Sequence, residues 1–78
     1  MQRTKTASFG NKVKSKRKDK GLSQVQTAEL LGVSKQSVCD WEKGRCFPKY
    51  QNLKQLATLF ETTTDYLLQQ ETDNYNLT

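Results

Sequence analysis

No histidine occurs in this chain of 78 residues. Catalysis by serine–histidine or cysteine–histidine pairs is therefore excluded, and so are the commonest zinc sites. Cysteine is nearly as scarce, since Cys39 and Cys46 stand seven apart with no CxxC spacing. Two thiols alone make a poor metal site, so no metal and no cofactor is expected. They read as reduced thiols, because the cytoplasmic setting expected below disfavours a disulfide. Long apolar runs are missing too. No stretch approaches the roughly eighteen apolar residues of a membrane span. The opening MQRTKTASFG lacks the apolar segment of a secretory signal, which makes a cytoplasmic protein the expectation. Alternating strand patterns are absent, so the expected fold is all-α. With no histidine and no cluster of catalytic carboxylates, no enzymatic activity is expected.

A chain of this length makes one domain with a modest core and little stability to spare. Mean hydropathy is low, at −0.89, which predicts unfolded ends. The expected division is a flexible basic arm over 1–7, a folded domain over 8–69 and a polar tail over 70–78. Charge is uneven. Residues 1–49 carry twelve bases against four acids, or +8, whereas residues 50–78 carry one base against four acids, or −3. A strongly basic half is the footprint of a polyanion binder. A solvated basic face would look the same, and charge alone does not choose between them.

Five helices are legible. The first is expected over about 8–20, with Ser8 as its cap and Gly21 ending it in the left-handed conformation. Its apolar stripe is thin, Phe9 and Val13 followed by Arg17 at the next step, and an inward arginine needs a partner. The second follows the capping box of Ser23 and Gln26, turns Ala28 and Leu31 inward and ends at Gly32. A third is capped by Ser34 and closed by Gly44, with Pro48 beyond it. It points Val38 and Trp41 inward with Glu42 beside them, and leaves Lys35, Gln36, Cys39, Asp40 and Lys43 on the other side. Leu53, Leu56, Ala57 and Phe60 mark a fourth over about 50–61, the strongest amphipathic signal in the chain. A short fifth is expected over about 65–70, capped by Thr63 or Thr64 and anchored by Tyr66, Leu67 and Leu68.

The second and third helices, joined by a turn of about three residues, form a helix-turn-helix. The third has too few apolar residues for a purely structural element, and its outer face is free. A helix of that kind fits the major groove of DNA.

LSQVQTAELLGVSKQSVCDWEKGRCFP resembles the helix-turn-helix family of phage lambda-type repressors and Cro proteins, the XRE-like family. The matching positions are Gln24, Ala28, Leu31, Gly32, Val33, Ser34, Val38, Trp41, Glu42, Gly44 and Pro48. VKSKRKDKGLSQ, NLKQLATLF and DYLL are similar to the family's first, fourth and fifth helices, so the resemblance spans about 9–68. It implies a compact five-helix domain that binds a double-stranded DNA operator as a homodimer, with half-sites roughly 34 Å apart. It also implies roles for single positions. Lys35, Gln36 and Asp40 would face the bases, with Ser37 and Cys39 as secondary candidates. Gln36 suits adenine and Lys35 suits guanine. Asp40 has two readings: accepting from cytosine, or holding Lys35 or Gln36 in place. Gln24, Lys43, Arg45, Lys14 and Lys16 would contact phosphates, Gln24 also bracing the third helix. Arg17 would pair with Glu42 inside the protein. No small-molecule ligand is evident.

Departures from the family pattern carry their own expectations. Thr27 stands where an aliphatic residue is usual, and Val25 and Leu30 where polar residues are common. The second helix is therefore expected to rotate slightly or to expose apolar surface. Glu61 stands in place of a frequent glycine and Thr62 in place of an aliphatic, which predicts a looser link to the fifth helix. The function expected is transcriptional regulation, repression above all. An antitoxin or restriction–modification controller of the same fold is the closest alternative, with the domain of a longer repressor next. A protein-interaction module without DNA is the alternative of a different class.

Overall fold

Free backbone groups at helix ends need partners, and this chain meets the need mostly with local chemistry. The computed structural model describes residues 5–69, with side chains from Ser8 onward. Residues 1–4 of the expected arm and the whole expected tail, 70–78, lie outside the described residues. Helix α1 covers Lys5–Asp19, α2 Gln24–Leu31, α3 Lys35–Lys43, α4 Tyr50–Leu59 and α5 Thr64–Leu68. No strand occurs among the described residues.

The capping box at α2 is complete. Ser23 Oγ accepts from the Gln26 backbone N–H, and Gln26 Oε1 accepts from the Ser23 N–H. Gly32 then closes the helix at φ 72°, and the N–H of Val33 reaches back to the Ala28 carbonyl. That left-handed residue turns the chain so that Ser34, two positions on, can cap α3 by accepting from the N–H of Ser37. Thr63 caps α5 by accepting from the N–H of Tyr66.

Ser8 does not cap α1, which begins three residues earlier. It is buried inside the helix, where its hydroxyl accepts from Lys12 Nζ at 3.3 Å and donates to the Gln69 carbonyl at 3.5 Å. Lys12 Nζ also donates to that carbonyl at 2.6 Å. The C-terminal end of α5 is thus fastened to α1 by a lysine whose stem is buried and whose ammonium is hydrogen-bonded. The expected anchorage of α5 is corrected: of Tyr66, Leu67 and Leu68 only Leu67 is buried, whereas Tyr66 and Leu68 remain exposed.

One core serves all five helices. Phe9 and Val13 of α1 meet Ala28 and Leu31 of α2, Val38 and Trp41 of α3, Leu53, Leu56 and Ala57 of α4, Phe60 just after it, and Leu67 of α5. Helix α3 packs against both α1 and α2, and α5 closes the opposite side against α1 and α4. Thr27 is fully buried without disturbing this arrangement, because its hydroxyl donates to the Ser23 carbonyl at 3.0 Å. Helix α2 keeps Thr27, Ala28 and Leu31 inward, so it does not rotate to hide its apolar outer face. Val25 and Leu30 stay exposed, at 48% and 59%.

Two further backbone positions carry special geometry. Gly10 lies mid-helix in α1, where a Cβ would stand 2.6 Å from the Trp41 carbonyl oxygen and closer still to that of Glu42. Only glycine lets α1 approach the end of α3 so closely. Glu61 ends α4 with φ 56°, in the region that side chains other than glycine adopt at a cost. The N–H of Thr62 there bonds the Ala57 carbonyl at 2.9 Å.

Lys20 Nζ stands 2.9 Å from the Glu61 carboxylate, and this hydrogen bond and the ammonium charge hold the carboxyl below its ordinary 4.5. A lowered folded value contributes stability above pH 4.5, which is lost as pH falls through the lowered value. Both groups are exposed, so the contribution is small. Backbone strain dominates at this position. Glu61→Gly should raise the thermal midpoint by about 4 °C or more. Glu61→Ala, which keeps the strain and loses the Lys20 contact, should not raise it. A glycine variant melting at or below the parent would show that the turn is unstrained.

Candidate nucleic-acid interface

The charged centre beneath α3 is built from three directions. Glu42, in the last turn of α3, is buried, and so is Arg17 of α1. Arg17 Nε donates to Glu42 Oε2 at 2.6 Å and Nη2 donates to Oε1 at 3.1 Å, a two-point fork. The remaining guanidinium nitrogen, Nη1, donates to the Leu22 carbonyl at 2.9 Å, in the turn before α2. Gln24 Nε2, at the start of α2, donates to Glu42 Oε1 at 3.1 Å. A carboxylate only accepts, so the amide nitrogen of Gln24 faces it and leaves a second N–H and the carbonyl oxygen for other partners. Among the described residues no buried side-chain nitrogen or oxygen lacks a partner.

With Val38, Trp41 and Glu42 inward, the rest of α3 points out. Lys35, Gln36 and Lys43 are exposed, and Ser37, Cys39 and Asp40 are half-buried. The Ser37 hydroxyl lies 3.1 Å from that of Ser34, within the cap. Gln36 Nε2 donates to Asp40 Oδ1 at 2.9 Å, and Arg45 Nη1 lies 3.5 Å from the same oxygen. Gln36, Asp40 and Arg45 therefore form a polar chain along the outer side of α3 and into the loop after it. Phe47 braces that loop against Phe9, with ring centroids 5.1 Å apart.

The two lysines of α1 marked as phosphate contacts part company. Lys14 is exposed one turn after Gly10, on the stripe of α1 that runs beside α3. Lys16 lies about 200° further round the helix. Its ammonium stands over the Tyr66 ring at 5.2 Å, on the α5 side. Lys16 is thus turned away from the α3 face, and the reason is the orientation of α1 that Gly10 imposes. Gly10 itself escaped the sequence reading. Its signal was a glycine inside a helical pattern, which costs about 1 kcal/mol unless close packing requires it. Among the described residues no group of three or more Cys, Asp and Glu is placed to hold a metal, and no helix is long and apolar enough to cross a membrane.

The helix-turn-helix family model matches residues 13–67, most of the described structure. The chain belongs to the lambda-repressor-like helix-turn-helix family. This family member is 38% identical over 63 residues to the HTH-type transcriptional activator BcrR of Enterococcus faecalis, a match covering 81% of this chain and 31% of BcrR. Among solved structures it is similar to the c2 repressor of phage P22 in complex with synthetic operator 9T. The TM-score is 0.76 at 28% identity, over 78% of this chain and 92% of that one. It is also similar to the restriction-modification controller protein C.AhdI of Aeromonas hydrophila, at a TM-score of 0.73 and 31% identity, over 80% of this chain and 94% of that one. The chain spans between 31% and 66% of the length of the curated relatives compared.

For this helix-turn-helix domain the buried pair can be tested apart from any ligand. Glu42→Ala strands the Arg17 guanidinium and should cost about 3–5 kcal/mol in urea unfolding. Replacing both partners by apolar residues, Arg17→Met with Glu42→Leu, should recover much of that loss. A single variant costing under about 1 kcal/mol would mean that water reaches the pair.

Proposed function

We propose that this chain is a sequence-specific, double-stranded-DNA-binding transcriptional regulator that acts in the cytoplasm as a dimer on a palindromic operator. Helix α3 would lie in the major groove and repress by occupying promoter DNA. The observation that carries this reading is the division of α3. One side is buried with Val38, Trp41 and Glu42, while Lys35 and Gln36 project from its first turn. The early residues of such a helix are those that reach base edges. The operator-bound c2 repressor, at 28% identity, supports the same placement.

Roles follow from position. Lys35 and Gln36 would read bases, with Ser37 and Cys39 beside them in the half-buried rank. Lys43 and Arg45, at the end of α3 and just past it, would clamp phosphates, and Lys14 would add a contact from the neighbouring stripe of α1. Gln24 spends one N–H on Glu42 and has the other to offer a phosphate. Docking on DNA and packing of α3 would then share one side chain. The likeness to C.AhdI, at 31% identity, favours a second role on the same chemistry, control of a restriction–modification system. Likeness to the activator BcrR makes the sign of regulation a matter for experiment.

Selection from random duplexes should yield a two-fold symmetric site. Binding to it should weaken steeply with salt as phosphate counterions are released. Lys43→Ala should weaken all duplexes alike and reduce the salt slope by about one. Gln36→Ala should cost about 1–3 kcal/mol and relax preference at one base pair of each half-site. A flat salt response, or no duplex preferred over another, would sink the proposal.

A further inference from the structure

We propose that Asp40 determines specificity by positioning Gln36, so that Gln36 accepts adenine and rejects guanine. This rests on the DNA-binding reading above and names what that site selects.

Gln36 and Asp40 are neighbours one turn apart on the outer side of α3. Gln36 Nε2 donates to Asp40 Oδ1 at 2.9 Å. Chemistry fixes which end of the carboxamide faces Asp40. A carboxylate has only lone pairs, so a flipped amide would set oxygen against oxygen with no proton between them. Asp40 is itself held. Its side chain is 26% exposed, and Arg45 Nη1 approaches the same Oδ1 at 3.5 Å from the loop beyond Gly44. That guanidinium also offsets a negative charge that would otherwise face a phosphate backbone.

A primary carboxamide carries two N–H groups and one carbonyl oxygen. Asp40 takes one N–H. One donor and one acceptor remain for a ligand. The major-groove edge of adenine offers an acceptor at N7 and a donor at N6, which is the complement of that pair. Guanine offers two acceptors, N7 and O6. A free glutamine can meet guanine with both N–H groups, but here one is occupied, and the carbonyl oxygen is left facing O6. Asp40 therefore acts against guanine without touching a base. This also accounts for an acidic residue on a face whose other ionisable groups are basic. It works through a hydrogen bond to its neighbour, and the cost of its charge is reduced by Arg45.

The test uses the full chain. Selection from random duplexes with the parent and with Gln36→Ala identifies the base pair that Gln36 reads. Anisotropy titrations then compare duplexes carrying A, G, C or T at that position. The parent should prefer A over G by about tenfold or more. Asp40→Ala frees the amide to flip, and the preference should shrink to about twofold through gain of the G duplex. Asp40→Asn also loses the acceptor-only carboxylate, because its own amide N–H can donate to the oxygen of a flipped Gln36, so it should shrink the preference as Asp40→Ala does. In the Gln36→Ala background, Asp40→Ala should leave the A-to-G ratio unchanged, which is the coupling expected of a positioning residue. An unchanged ratio in Asp40→Ala alone, or a parent that prefers G, overturns the proposal. So does a loss in Asp40→Ala confined to a different, cytosine-bearing base pair, which would make Asp40 a direct reader. A parent that binds no duplex at all overturns the DNA-binding reading itself, and that result is distinct from any change in base ratio.

Discussion

The placement of α3 depends on one carboxylate. Glu42 receives both arms of the Arg17 fork and the amide of Gln24, while the third nitrogen of Arg17 holds the carbonyl of Leu22. Helix α1, the turn before α2 and the first residue of α2 are thereby tied to the last turn of α3. The pair is buried, with side-chain exposures of 10% and 4%. Desolvating two charges costs about what their attraction returns, so the apolar core supplies the net stability. Direction is what the pair adds. Two hydrogen bonds from Arg17 set α3 against α1, and a third from Gln24 sets it against α2, each with a directional requirement that the packing of Val38 and Trp41 does not impose. Gly10 makes that setting reachable. It lies two turns before Arg17 on the same stripe of α1, and its bare backbone rests against the carbonyls of Trp41 and Glu42. A side chain there would lift α1 away and lengthen the fork.

What was legible in the sequence is what is decided within a turn or two of chain. Ser23 with Gln26, Ser34, Gly32 and Gly44 mark helix ends because each cap is satisfied by residues within five positions. The inward set of α3 follows from spacing alone. Ser8 shows where that reasoning stops. A serine at a helix start and a serine buried in a helix look alike, and what distinguishes this one is a carbonyl at Gln69, far along the chain. The fifth helix misled for a related reason. Three consecutive apolar residues cannot all face inward on a helix of five residues, and only Leu67 does. Lys14 and Lys16 could not be told apart either. Both are lysines on a basic helix, and only the contact at Gly10 decides which of them stands beside α3.

On the proposed reading, the outer side of α3 separates two tasks that charge alone would merge. Lys35, Lys43 and Arg45 set a positive field, and the charge of Glu42 is already matched by Arg17 inside the protein. That field acts over a Debye length of about 8–10 Å, and it governs encounter and salt dependence while being blind to sequence. Asp40 subtracts a little from it and acts only at the 2.9 Å separating it from Gln36. A residue that weakens the non-specific attraction while constraining a reader raises the ratio of specific to non-specific binding on both counts. Most of this machinery lies outside the core, so exchanging Lys35, Gln36 or Asp40 can alter the site recognised at little cost to folding. Gln24 is the exception. Its amide belongs to the buried centre and to the proposed phosphate contact at once, so a phosphate docked there would pull on the same carboxylate that orients α3.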